Sequence, residues 1–212
     1  MARQWILLGC GGHGRVLLAT LQALGWMDRL VGILDQDPQA PDRLGWPIPL
    51  LGDDGYLSTL HTREIRLLNG LGSVASTTRR REVYQKWQAQ GYTFASVRHP
   101  TAWLADSVHP GEGVQVMAGA VIQTGCQLGE NVLVNTRAVL DHDCLLHDHV
   151  HVASGAVLCG QVQVGAGAHV GAGATVIQGI QIGANACVGA GAVVVRDVPN
   201  GVKVVGVPAR EC

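Results

Sequence analysis

Residues 162–183 read VQVGAGAHVGAGATVIQGIQIG, and within them Val164, Val170, Val176 and Ile182 recur every six residues. The period runs on in both directions. Stepping by six from Val116 meets Ile122, Leu128, Val134, Leu140, Leu146, Val152 and Leu158 before this stretch, then Val188 and Val194 after it, and every one is aliphatic. The positions two residues earlier are mostly small, as at Ala120, Cys126, Ala138, Cys144, Ala156, Ala168, Ala174, Ala186 and Ala192. A period of six is neither the 3.6 of a helix nor the two-residue alternation of a simple strand. It fits a coil with three short flat faces, in which each aliphatic side chain points inward and stacks on the one eighteen residues later. One hexapeptide cannot bury its own face, so such a coil is stable only as a stack. Gly often follows the aliphatic position, as at Gly129, Gly165, Gly171, Gly183 and Gly189. Gly or Asn at the corners is expected to supply the backbone angles of a tight turn. About five coils fit between residues 108 and 196.

Upstream of the repeat the pattern changes. Trp5-Ile6-Leu7-Leu8 reads as a buried strand, Gly9-Cys10-Gly11-Gly12-His13-Gly14 as a tight glycine loop, and Arg15 to Leu24 as a helix stopped by Gly25. Leu30 to Asp35 and Ile65 to Asn69 read as further strands, Arg80 to Gln90 as a second helix and Thr93 to Val97 as a last strand. Strand-helix-strand order predicts a small parallel sheet. The fold class is therefore mixed: a Rossmann-like α/β domain over residues 1–98, then a parallel β-helix with a C-terminal cap over residues 99–212. His99-Pro100 marks the hand-over.

Composition narrows the function. Of 212 residues 47% are hydrophobic but only 4% aromatic, so the core is built from aliphatic side chains, Ala and Gly. A formal net charge of -1 argues against a nucleic-acid binder. Arg79-Arg80-Arg81 is the one basic cluster and reads as a solvated helix start. No apolar run reaches the ~20 residues of a membrane span, and Met1 to Trp5 runs into a strand without a cleavage site. These features predict a cytoplasmic protein with no membrane insertion. The six cysteines form no C-x-x-C pair and lie among small apolar residues, as buried free thiols would in a reducing compartment.

Gly9, Gly11 and Gly14 satisfy G-x-G-x-x-G between a strand and a helix, and Asp35 ends the next strand. Backbone N–H groups at a helix N-terminus attract phosphate, and an acidic residue can take a ribose hydroxyl. Too few residues precede the repeat for the two halves of a nicotinamide-binding domain, and a glycine turn with no ligand is the alternative. The second chemical signal is Asp141-His142-Asp143-Cys144 with His147, His149 and His151 close behind. A His beside a carboxylate is a general base with its basicity and orientation supported. Alternatively, His and Asp can ligate a metal. Cys144 falls at a small interior position of the repeat, which makes it a buried thiol rather than a nucleophile. His147 and His149 read as surface residues.

The six-residue repeat resembles that of the hexapeptide-repeat acyltransferases, and this resemblance alone supplies a left hand for the β-helix. Gly11 to Gly14, the Ile33-Leu34-Asp35 strand end and Gly70-Leu71-Gly72-Ser73 are similar to one bacterial subgroup. That subgroup comprises the nucleotide-amino-sugar N-acetyltransferases and the sialic-acid O-acetyltransferases. The resemblance implies transfer of an acetyl group from acetyl-CoA, as co-substrate, to a nucleotide-linked amino sugar, in glycan biosynthesis. It implies His142 as base and Asp143 as its partner. His151 and the Gly160 N–H would meet the acyl carbonyl, and Ala172 and Ala190 would line the CoA channel. Gly11, Gly12, His13, Asp35 and Gly72 would contact the nucleotide sugar. It implies a homotrimer with sites between neighbouring β-helices, no metal, and an exit segment, Gly206-Val207-Pro208, that shapes the pantetheine tunnel. Three alternatives stay open: acetylation of a sugar hydroxyl, a non-catalytic scaffold β-helix, and a metal-dependent β-helical enzyme, for which His151 and His169 are the only stacked pair.

Overall fold

The fold is taken from a computed structural model, which describes residues 4–39 and 45–212. Met1 to Arg3, part of the reading of the N-terminus, lie outside the described residues. The chain begins with a five-stranded parallel sheet in the order β3-β2-β1-β4-β5. Its strands are β1 (Gln4–Leu8), β2 (Leu30–Leu34), β3 (Leu50–Gly52), β4 (Ile65–Asn69) and β5 (Thr93–Phe94). Alternation along β1 sends Trp5 and Leu7 to one side and Ile6 and Leu8 to the other. Helix α1 (Gly12–Leu24) covers the first side through Leu17, Leu18 and Leu21, together with Met117 and Leu133 of the repeat region. Helix α2 (Thr78–Gln88) covers the second through Tyr84 and Trp87. Sequence reading misses β3, which is three half-buried residues long and carries no alternation to detect.

The repeat forms a three-sided parallel β-helix. Face one stacks two-residue strands from Trp103–Leu104 to Val193–Val194, and face two those from His109–Pro110 to Gln181–Ile182. Face three runs from Val97–Arg98 through Gln115–Val116, Leu133–Val134, His151–Val152, His169–Val170 and Cys187–Val188 to Lys203–Val205. Arg210–Glu211 closes face three by antiparallel pairing. All fourteen aliphatic positions and their small partners are buried in one continuous core. Each fully buried aliphatic side chain is worth about 1.5–3 kcal/mol relative to exposure. The coil begins earlier than the periodicity suggests, because Val97 N–H already bonds Val114 O and His99 N–H bonds Val116 O. Val97 precedes the regular aliphatic register, so stepping by six overlooks it.

The glycines divide into two groups with different causes. Left-handed backbone occurs one residue before each small interior position, for example at Gly119, Gly155 and Gly173, and at Asn131, Asp143 and Asn185. The glycines that follow the aliphatic position are not left-handed. There a Cβ would strike the backbone of the next coil: at Gly171 it would stand 2.6 Å from Ala190 N and Val188 O. Their cause is close approach, which corrects the expected turn role for Gly165, Gly171 and Gly183.

Candidate active site

Strand β1 ends in a glycine loop that turns into α1. Gly9 is left-handed (φ 87°), and a Cβ on Gly14 would stand 2.5 Å from Gly9 O. Gly11 caps α1 without a side-chain bond, and the first turn carries no acidic residue. The first helical bond is Arg15 N–H to Gly11 O, so the N–H groups of Gly12, His13 and Gly14 precede the helical ladder. Asp35, just past β2, holds the loop: its carboxylate accepts from Cys10 N–H at 2.7 Å and Asp37 N–H at 2.9 Å. Burial and that carboxylate push the Cys10 thiol up to about 12, which makes it inert.

Between this loop and face three lies a cleft of about 1030 Å³. Gly11, Gly12, His13, Asp35, Gly72, Ser73, Arg79, Asn135, Thr136 and His151 line it. A buried polar chain joins the two parts of the molecule beneath it. Gln115 donates to Asn69 O at 3.0 Å, which turns its Oε1 toward His13 Nε2 at 2.7 Å. His13 therefore carries its proton on Nε2 and presents Nδ1 as an acceptor. Burial, then the nearby Arg80 charge, lowers the His13 pKa to about 4, so the ring is neutral. Asn69 Nδ2 donates to Arg80 O at 3.0 Å and Asn131 Oδ1 at 3.3 Å, and Asn131 meets His149 Nδ1 at 3.1 Å.

Arg80 and His149 correct their sequence readings. Arg80 is only 1% exposed, and its NH1 donates to Asn69 O at 2.9 Å and Leu71 O at 2.8 Å. Burial lowers its pKa to about 9. Arg81 reaches Asn185 Oδ1 at 2.8 Å, so of the three arginines Arg79 alone is left exposed at the helix start. His149 is buried against the Tyr84 ring, 5.5 Å between centroids. The β-helix corner between faces two and three displaces water from one side of α2, and a local charge pattern carries no sign of that. The six cysteines are all free, but only Cys10, Cys126 and Cys144 are buried. Cys144 points into the coil, and its thiol is pushed up by its bond with Cys126 and by burial.

A second cavity, of about 510 Å³, adjoins the cleft along face three. Its lining includes Ser73, Val74, Asn135, His151, Ser154, Ala172, Cys187, Ala190 and Lys203. His151 is buried at the junction, with its Nδ1 hydrogen-bonded to Ser73 Oγ and its ring edge-on to His169 at 4.9 Å. Burial, His169 and Arg80 hold its pKa well below the ordinary value, so it is neutral. His151 and His169 do stack, but among the described residues no group of three or more His, Cys, Asp or Glu is arranged to hold a metal.

His142 and Asp143 form the two turn residues at the corner between faces one and two. Asp143 is left-handed (φ 59°), a conformation Asp tolerates. Its Oδ2 accepts from His142 Nδ1 at 2.9 Å, leaving Nε2 as the basic nitrogen. That bond is the first cause of the raised His142 pKa. The side chains are 53% and 57% exposed. Gly160, eighteen residues on, lies under the His142 ring: a Cβ there would stand 2.6 Å from Cε1 and closer still to Nε2. The predicted residues thus fall into three groups. Gly11, Gly12, His13, Asp35, Gly72 and His151 share the cleft. His151, Ala172 and Ala190 share the second cavity. His142, Asp143 and Gly160 share a corner that lines neither. Ser73 and Gln115 escape sequence reading as partners of His151 and His13, because 78 and 102 residues separate each pair.

Comparison with known proteins adds independent ground. Residues 4–87 match the model of the PglD N-terminal domain family. No curated protein sequence matches the chain. Among solved structures, PerB from Caulobacter crescentus in complex with CoA and GDP-perosamine is 37% identical over 100% of this chain and 98% of that one, with a TM-score of 0.88. The acetyltransferase domain of PglB from Neisseria gonorrhoeae in complex with acetyl coenzyme A is 34% identical over 99% of each chain, with a TM-score of 0.89. WeeI from Acinetobacter baumannii, at 23% identity over both full lengths and a TM-score of 0.81, shares the fold. With its PglD-type N-terminal domain and left-handed parallel β-helix, this chain belongs to the hexapeptide-repeat sugar acyltransferases.

Proposed function

We propose that the protein transfers the acetyl group of acetyl-CoA to the amino group of a nucleotide-linked amino sugar. The observation that carries this reading is the meeting of two cavities at His151. The larger is bounded by helix N-terminal N–H groups suited to a diphosphate. The smaller is lined along face three largely by small residues, Ser73, Ser154, Ala172 and Ala190 among them, suited to a pantetheine arm. The α/β unit holds the nucleotide sugar through Gly11, Gly12, His13, Asp35 and Gly72. The β-helix unit holds acetyl-CoA along Ala172 and Ala190.

The thioester is already activated, so the reaction needs a base and an oriented carbonyl rather than a covalent enzyme intermediate. The sugar amine attacks the acetyl carbonyl carbon, and His142 Nε2 takes a proton from the nitrogen. The C–N bond forms, the C–S bond breaks, and the CoA thiolate leaves to be protonated. Asp143 anchors Nδ1 and strengthens the base, while His151 and the Gly160 N–H polarise the carbonyl. His142 with Gly160 lies at the corner between faces one and two and His151 with the cleft on face three of the same chain, yet the mechanism assigns them to one acyl group. A homotrimer resolves this, with the His142 corner of one copy facing the cleft of its neighbour. Among the described residues no helix is long and apolar enough to cross a membrane; we place the proposed enzyme in the cytoplasm.

The test is to incubate purified protein with acetyl-CoA and, separately, UDP- or GDP-linked amino sugars and their hydroxy counterparts. Acetylation of an amino sugar with stoichiometric CoA release supports the reading. Acetylation confined to a hydroxy sugar overturns it in favour of O-transfer.

A further inference from the structure

Leu133, His151, His169, Cys187 and Lys203 are paired in register down face three. The residue after each fills the core, so this column points outward. The α/β unit covers Leu133. From His151 onward the column lines the second cavity, with Lys203 and Val205 at its far end. Adjacent strands lie about 4.8 Å apart, so three steps set Lys203 roughly 14 Å from His151 along the coil axis. From its sulfur to its first phosphorus the pantetheine arm of CoA has about thirteen bonds, the reach of about four extended residues or roughly 15 Å. With the thioester carbonyl at His151, the diphosphate therefore falls level with Lys203. Two observations along the column point to a ligand. His169 is only 7% exposed, yet neither ring nitrogen has a hydrogen-bond partner among the described residues. Its Nδ1 is fully buried, which leaves Nε2 for a ligand in the cavity. The ring stands one strand spacing from His151, level with the first amide of the arm, which lies about four bonds or roughly 5 Å from the acyl carbon. An amide offers both a donor and an acceptor, so it can pair with Nε2 in either tautomer. Lys203 is exposed, and among the described residues no carboxylate pairs with it.

We propose that Lys203 selects the acyl donor: its ammonium pairs with the diphosphate of CoA, while the first amide of the arm bonds His169 Nε2. The inference rests on the acetyl-transfer reading and deepens it, because it fixes the direction and the length of the donor. The arm descends face three from His151 to Lys203, so the diphosphates of donor and acceptor occupy different cavities. A thioester that ends short of the diphosphate loses the lysine contact.

The test is calorimetric titration, without any sugar, of the wild type and its variants with acetyl-CoA, acetyl-dephospho-CoA and acetyl-pantetheine. The second lacks the 3′-phosphate but keeps the diphosphate, and the third keeps both amides but carries no phosphate. The wild type is expected to bind acetyl-pantetheine at least about tenfold more weakly than acetyl-CoA. Lys203→Met should weaken acetyl-CoA and acetyl-dephospho-CoA alike by about tenfold, leave acetyl-pantetheine unchanged and keep the wild-type Tm. Lys203→Arg should retain tight binding, and His169→Phe should weaken all three donors equally. Unchanged binding of acetyl-CoA by Lys203→Met overturns the proposal, and so does an equal loss for acetyl-pantetheine. A loss confined to acetyl-CoA also overturns it, because it would assign the lysine to the 3′-phosphate, and so does a His169→Phe protein with unchanged affinities. A wild type that binds none of the three would instead refute the acetyl-CoA reading, and one that binds acetyl-CoA but acetylates no amino sugar would refute the proposed reaction alone.

Discussion

Gly160→Ala isolates the placement of the catalytic imidazole from the stability of the fold. The glycine is outside the left-handed region, so alanine meets no backbone strain. Its Cβ would stand 2.6 Å from Cε1 and 3.0 Å from Cδ2 of His142, against an ordinary contact of about 3.4 Å or more. The ring must therefore retreat by about 1 Å. It has room to do so, since the His142 side chain is 53% exposed. The move pulls Nδ1 off Asp143 and displaces Nε2 from the incoming amine. A misplacement of about 1 Å costs about 100-fold in rate, or about 2.7 kcal/mol of barrier. Stability should change by no more than about 0.5 kcal/mol, as for other changes at the surface. CoA release followed with a thiol reagent gives kcat, and thermal melting gives Tm. A folded Gly160→Ala protein with wild-type kcat would refute the reasoning, because the ring cannot keep its place above a methyl group.

Two further outcomes follow from the same geometry. The Asp143 bond raises the His142 pKa, and the base works only when neutral, so activity should rise with pH through a value above the usual histidine range of about 6.5. Asp143→Asn should move that limb to lower pH while lowering the plateau, and an unmoved limb in the pH profile of kcat/KM would contradict it. Gly171→Ala should behave differently from Gly160→Ala, because its Cβ would meet backbone atoms of the next coil at 2.6 Å. A loss of about 1–3 kcal/mol is expected from such overpacking, read as a lowered Tm, and an unchanged Tm would speak against the close-approach account.

The β-helix is legible because its constraint is local and repeated: every sixth side chain enters one narrow interior, and Val116 to Val194 record this without exception. The glycine loop is legible for the same reason, since Gly9 and Gly14 touch within six residues. What eludes sequence reading is the seam between the two units. Arg80 and His149 look solvated until α2 is laid along the corner between faces two and three. Gln115 looks like an outward strand residue until its amide is found wedged between Asn69 and His13. Such partners are brought together by packing, and nothing within a few residues of either one encodes the encounter. The corner of His142 is a middle case. Its pairing with Asp143 is adjacent in sequence, whereas its isolation from the cleft of the same chain emerges only when the coil is wound.

The most direct check is the turnover of His142→Ala with acetyl-CoA and a nucleotide-linked amino sugar, measured beside the wild type at matched fold and matched CoA binding. The account predicts that acetylated sugar accumulates with the wild type and falls by at least about 100-fold when the imidazole is gone. Equal turnover by the two proteins would contradict it.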